Sequence, residues 1–203
     1  MIILPIAYFG NLEYFWYFVK HDKVTIDLGE TYVKQSYRNR SEIYGANGKL
    51  NISIPVARPH GAKSKTNQIV FSKAEDWKKN HWKSIESAYR RTPFYEFYID
   101  QIQDLFFEDY LNLADFNLAL TQHLINKIGI DCELILVNNS PKFIENDLRL
   151  TLSPKKESTF KSPNYIQTFS DRIPFIKKLS ILDILFNEGP NSICILESCF
   201  LNK

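Results

Sequence analysis

Ile2-Ile3-Leu4-Pro5-Ile6, Leu12-Glu13-Tyr14-Phe15-Trp16-Tyr17-Phe18-Val19 and Lys23-Val24-Thr25-Ile26-Asp27-Leu28 decide the fold of this chain. The first and third runs are short and apolar and read as buried strands, while the middle run is an aromatic helix. Strand, helix and strand follow one another closely enough for a parallel crossover, so the chain opens with a β-α-β unit. Gly10 and Asn11 sit where the first strand turns into its helix, a position that borders the ligand crevice of open α/β sheets. No glycine-rich phosphate fingerprint stands there, and a nucleotide site is not implied.

Working outward, Asn47-Gly48 separates a strand around Arg40 to Tyr44 from the alternating Leu50, Ile52, Ile54 and Val56, the pattern of a hairpin. Gln68 to Phe71 is a further short strand. Ser72 precedes Glu75 by three residues, a capping box that opens a helix through Trp77, His81, Ile85 and Tyr89 and ends at Thr92-Pro93. From Phe94 to Ile128 the pattern is helical in two segments, stopped by Gly129. Glu133 to Val137 is an apolar strand. Asn138 to Pro163, rich in Asn, Ser, Lys and Pro, reads as a long surface loop. Ser180, with Asp183 at the capping-box position, opens a last helix that Gly189-Pro190 ends. No internal repeat is visible. The expected fold is α/β, a mixed and mainly parallel sheet started by the N-terminal β-α-β unit, with a helical central segment. One domain is expected over 1–203, its α/β part about 1–92 and its helical and mixed part about 93–203.

Composition agrees with a folded chain. Of 203 residues 44% are hydrophobic, 24% charged and 14% aromatic, which excludes a disordered assignment and favours a packed interior. The net charge of +2 does not by itself imply nucleic acid. Its distribution is uneven: Lys34, Arg38, Arg40, Lys49, Arg58, Lys63 and Lys65 lie between Tyr32 and Thr66 with Glu42 as their single opponent, and Glu96 to Asp115 is acidic. The cysteines, Cys132, Cys194 and Cys199, have no metal-like spacing, and their odd number argues against a disulfide framework. With no basic leader at Met1-Ile2-Ile3-Leu4-Pro5 and no run of about 20 apolar residues, the expected location is the cytoplasm, with no membrane span.

Candidate site residues cluster early in the chain. In an extended Tyr37-Arg38-Asn39-Arg40, Arg38 and Arg40 face the same side, and two forks on one face clamp a phosphate, a carboxylate or a nucleotide-sugar diphosphate. Asn39 then faces away and braces the turn; Lys34 adds charge against phosphate, and Tyr37 and Tyr89 offer rings on which a ligand stacks. The competing reading makes the two arginines structural partners of the acidic stretch Glu96 to Asp115. His81, sharing a helix face with Ser84 and Ala88, is the candidate general base. Trp77 on that same face equally fits a buried histidine. Asp27, at the carboxyl end of the second strand, points toward the crevice and either binds a sugar hydroxyl, orients His81 or caps a turn. His21, His60 and His123 lack metal-ligand spacing, so no metal and no cofactor are expected.

Four ordered blocks carry a resemblance across nearly the whole chain: Leu4-Pro5-Ile6-Ala7-Tyr8-Phe9-Gly10-Asn11, Lys34-Gln35-Ser36-Tyr37-Arg38-Asn39-Arg40, His81-Trp82-Lys83-Ser84-Ile85-Glu86-Ser87-Ala88-Tyr89, and Leu179-Ser180-Ile181-Leu182-Asp183-Ile184-Leu185-Phe186-Asn187-Glu188-Gly189-Pro190. Together they resemble the WbqC-like protein family in its Bacteroidetes-type branch. Gly10-Asn11 departs from it, where members often carry a proline near the end of the first block. The resemblance implies a setting in O-antigen or other surface-polysaccharide biosynthesis and a transferase that moves an aminoacyl, glycyl or acyl group to a sugar; it supplies no catalytic residues. The expected partner is a small-molecule substrate, a nucleotide-linked or phosphorylated sugar, rather than nucleic acid. The alternative is a non-catalytic protein that binds an anionic ligand, glycan or RNA through the basic face.

Overall fold

A computed structural model describes residues 1–72, 76–139 and 146–202. The first unit is the β-α-β expected: β1 (Ile2–Leu4), α1 (Leu12–Lys20) and β2 (Lys23–Asp27), with β1 and β2 parallel and Ile2, Ile3 and Leu4 opposite Val24, Thr25 and Ile26. Asn11 caps α1 by accepting from the Tyr14 amide at 2.9 Å. Leu12 through Phe18 are all buried, so this helix is a core element, each fully buried large side chain contributing about 1.5–3 kcal/mol.

The hairpin follows as β3 (Arg40–Gly45) and β4 (Gly48–Ser53), antiparallel with Gly45 opposite Gly48. Its turn is therefore Ala46-Asn47, one residue earlier than Asn47-Gly48, and Gly48 at φ +104° starts the return strand. The short pair β5 (Val56–Ala57) and β6 (Val70–Phe71) comes next. Then come α2 (Trp77–Tyr89), α3 (Tyr95–Phe107) and α4 (Leu113–Ile128), the last closed by Gly129 in the left-handed conformation at φ +80°. The Ser72–Glu75 capping box involves Glu75, which lies outside the described residues; α2 takes Asp76 as its N-cap residue.

After α4, β7 (Glu133–Val137) joins β2 in parallel, and β8 (Asn146–Asp147) joins β1 in parallel, giving the order β7-β2-β1-β8. The fold is thus mixed α/β around a parallel sheet. Of the long surface loop expected over 138–163, residues 140–145 lie outside the described residues; the rest is mostly irregular and surface-lying, but it also supplies β8 and β9 (Phe160–Lys161) and buries Leu152 and Phe160. Strands of two residues present no alternating pattern; their partners supply the pairing. The chain ends with α5 (Ile181–Glu188), α6 (Ser192–Glu197) and β10 (Phe200–Leu201), which pairs with β9. Ser180 caps α5 through the Leu182 amide. Asp183 does not close a capping box; its buried carboxylate takes bonds from the Tyr165 hydroxyl at 2.6 Å and the Gln167 amide at 2.9 Å, and burial lifts its pKa to about 6.

The carboxyl end of β1 is covered by the start of α5. Leu12 donates to the Leu179 carbonyl, Ile181 to Gly10, and the Ser41 and Ser180 hydroxyls both donate to the carbonyl of Phe9, which sits at φ +42°. Gly10 is required for a packing reason: a Cβ there would lie 2.2 Å from the Tyr14 ring. The crevice expected at Gly10-Asn11 is filled by protein.

Candidate functional site

Arg38 and Arg40 do not share a face. Ser36 to Asn39 is a turn, with the Asn39 amide donating to Ser36 at 3.3 Å, so the two-residue parity of an extended chain is lost. Arg38 points inward and is 1% exposed. Its Nε and Nη2 donate to the two carboxylate oxygens of Glu30 at 2.7 and 2.6 Å, and Nη2 also reaches the Arg149 carbonyl at 3.0 Å. The two-fork clamp is corrected accordingly, and the partner of Arg38 is Glu30 rather than the acidic stretch Glu96 to Asp115.

This pair belongs to a network, buried at Asp27, Glu30 and Arg38 and half-buried at Asp147 and Arg149, at the carboxyl ends of β2 and β8. Asp27 accepts from the Gly29 amide at 2.9 Å and from Arg149 Nη1 at 2.6 Å, and Arg149 also forks onto Asp147 at 2.9 and 2.6 Å. Gly29 is confined by the Asn138 carbonyl, which a Cβ would meet at 1.6 Å. Burial raises the pKa of Glu30, opposed by Arg38, whereas the Arg149 hydrogen bonds lower that of Asp147. Forks and carboxylates thus bind one another, tying the loop after β2 to β8. Asn117 adds a bond to the Arg38 carbonyl at 2.7 Å.

His81 stands in the aromatic core. Its Nδ1 lies 3.0 Å from the Tyr8 hydroxyl, and its ring meets Trp77 edge-on at 5.3 Å. Burial drops its pKa to about 4, so the imidazole is neutral at pH 7. Tyr89 is also interior: its hydroxyl accepts from the Tyr44 amide at 3.1 Å and its ring packs on Phe186 at 5.3 Å. Asn39 braces the turn through Nδ2 to the Ile54 carbonyl at 2.9 Å, and Lys34 is exposed on the preceding loop.

Arg40 and Tyr37 are placed differently. With Glu42, Asn51, Ser53, Pro154 and Lys155 they line a cavity of about 400 Å³, within the range of small-molecule sites. The buried Arg40 Nε has no hydrogen-bond partner among the described residues. A second cavity, about 150 Å³, meets the first at Tyr37, Glu42 and Pro154 and adds Glu13, Lys49, Lys156, Ser158, Lys177 and Lys178. The two form one groove, cationic in balance, beside the first turn of α1 and thus near the carboxyl end of β1. Sequence reasoning found Tyr37 and Arg40 here and missed Glu13, Ser158 and the lysines; the doublets Lys155-Lys156 and Lys177-Lys178 were the available signal. The structure therefore joins Asp27 to Arg38 through Arg149, joins Tyr37 to Arg40 at the groove, and leaves His81 and Tyr89 in the core.

Among the described residues there is no cluster of three or more His, Cys, Asp or Glu arranged to hold a metal, and no helix long and apolar enough to cross a membrane. Cys132, Cys194 and Cys199 are free thiols.

No solved structure matches the chain. An uncharacterized protein of Mycobacterium tuberculosis is 26% identical over 104 residues, which span 51% of this chain and 45% of that relative. The model of the WbqC-like protein family matches residues 6–158, taking in α1, β2, the Arg38 network, His81, Arg40 and the Pro154 side of the groove. The chain belongs to the WbqC-like protein family.

Proposed function

We propose that the groove over Tyr37 and Arg40 binds a phosphorylated or nucleotide-linked sugar, and that the protein is a cytoplasmic transferase of O-antigen or other surface-polysaccharide biosynthesis, moving an aminoacyl or acyl group onto that sugar. One observation carries the reading: a guanidinium with a buried, unpartnered Nε opens on a cavity that Lys155 lines and that continues into Lys49, Lys156, Lys177 and Lys178. Arginine binds phosphate oxygens through paired donors and lysine as a mobile point charge, so the combination suits a phosphate ester. Tyr37 supplies an aromatic wall. In this reading Asp27, Arg38 and Asn39 are positioning residues that hold the turn, and His81 and Tyr89 support the hairpin from behind.

A binding role without chemistry is the second reading, favoured by one feature: the carboxylate of Asp27 and the imidazole of His81, the two candidate bases, are both engaged inside the protein.

Both are tested by thermal-shift and calorimetric titration with nucleotide-sugars, acyl-CoA and aminoacyl donors, followed by assay for transfer. Arg40→Ala is expected to weaken nucleotide-sugar binding by about 1.5–3 kcal/mol, the range of a hydrogen bond to a charged group. Unchanged binding in that variant would remove the groove as the site. Tight binding without turnover in any donor combination would favour the second reading.

A further inference from the structure

The groove holds two charges of the wrong sign for a plain anion site. Glu42 is neutralised at close range by Lys49, 3.0 Å away across the hairpin. Glu13 is held differently. Its side chain is 8% exposed, Oε1 takes the Ser158 hydroxyl at 2.5 Å, and the ammonium of Lys178 stands 3.5 Å from Oε2, longer than the roughly 2.7–2.9 Å of a charge-assisted hydrogen bond. A carboxylate offers about four acceptor positions, and Ser158 uses one of them. Lys178 is itself turned toward the Ser158 carbonyl at 3.5 Å and has φ +59°.

Three separate segments therefore fix this carboxylate: α1 carries it, the stretch after Pro154 brings Ser158, and the residues leading into α5 bring Lys178. Such a group is placed before any ligand arrives, which lowers the ordering cost of binding. Its charge repels phosphate. A phosphate ion or a bare polyanion brings acceptors alone and gains nothing from Glu13, whereas a molecule with hydroxyl or amino groups beside its phosphate satisfies both halves of the groove.

We infer that Glu13 is a specificity-determining residue that accepts hydrogen bonds from hydroxyl or amino groups of the ligand, with the ligand's phosphate lying toward Arg40, Lys155 and Lys156. The ligand class is then a hydroxyl- or amine-bearing phosphate ester rather than a polyanion such as RNA. This rests on the groove being the ligand site and adds the ligand's orientation and its discriminating group.

The test is calorimetric titration of the full chain with glucosamine 1-phosphate and with inorganic phosphate, on the parent, Glu13→Gln, Glu13→Asp and Ser158→Ala. The parent is expected to prefer the sugar phosphate. Glu13→Gln, which removes the charge at constant shape, should lose ~10–100-fold for glucosamine 1-phosphate and hold or gain for inorganic phosphate. Glu13→Asp, which withdraws the carboxylate by one methylene, should lose affinity for the same probe, and serves if Glu13→Gln does not fold. Ser158→Ala, which releases the carboxylate from its hydroxyl partner, should reduce the preference by less than Glu13→Gln does. The inference is overturned if the parent shows no preference, if the Glu13 variants weaken both probes equally or neither, or if Ser158→Ala abolishes the preference as fully as Glu13→Gln. If neither probe binds the parent, or if Arg40→Ala leaves sugar-phosphate binding intact, the groove itself fails as the site and the inference falls with it.

Discussion

Two arginines two residues apart meet opposite fates. Arg38 is sealed in the interior, both ends of its fork given to Glu30, while Arg40 opens on the groove with an unpartnered Nε. The first acts on the fold, since a buried charge is tolerable only while its partner is present. The second is free to act on a ligand. The difference lies in what surrounds them. A turn at Ser36 to Asn39 rotates Arg38 toward Glu30 and Arg149, and the hairpin strand that begins at Arg40 carries its side chain to the outer wall.

The largest effect that would break this contrast is in stability. Arg38→Ala should lose about 3–5 kcal/mol in chemical denaturation, because Glu30 remains buried without its partner. Adding Glu30→Ala should recover part of that loss, and a double-mutant cycle reads the coupling directly. An Arg38→Ala protein as stable as the parent would mean that the interior pair is not what separates the two arginines.

The next effect is in pH, and it also belongs to the interior. His81, ordinarily near 6.5, is brought to about 4 by burial, so the unfolded chain takes up its proton at a higher pH than the folded one. Its contribution is present above pH 6.5 and is lost as pH falls toward 4, up to about 3 kcal/mol. Asp183, lifted to about 6 from 3.8, works in the opposite sense: its burial destabilises above pH 6 and is relieved as pH falls toward 3.8. Urea denaturation from pH 7 to 4.5 should therefore show an acid-side loss that His81→Gln flattens and Asp183→Asn deepens. Equal profiles in all three proteins would remove both groups from the acid response.

The smallest stability effect is expected at the groove. Arg40→Ala should stay within about 0.5 kcal/mol of the parent, because among the described residues its side chain makes no ion pair to lose. A large loss there would place Arg40 in the same structural class as Arg38.

Much of the fold was legible because its signals are long and local. The apolar runs of β1 and β2, the aromatic helix between them and the stops at Gly129 and Gly189 need only near neighbours to be read. β8 was not legible, since Asn146 and Asp147 carry no strand character and are held by pairing with Ile2 and Ile3. The site was legible in part. Tyr37 and Arg40 reach the groove, but their companions Glu13, Ser158 and Lys178 come from far along the chain. The side on which Arg38 would fall depended on the geometry of the turn at Ser36 to Asn39, which residue types alone did not fix.

What the sequence by itself determined is the β-α-β start, the α/β class, the family, and a basic segment holding the two arginines, because periodicity, capping and motif order act over a few residues. The tertiary structure alone decided which arginine is consumed and which is free, because burial and charge pairing depend on elements more than 100 residues apart, as between Arg38 and the Arg149 carbonyl. Only there do α1, the hairpin and the approach to α5 meet to make one groove.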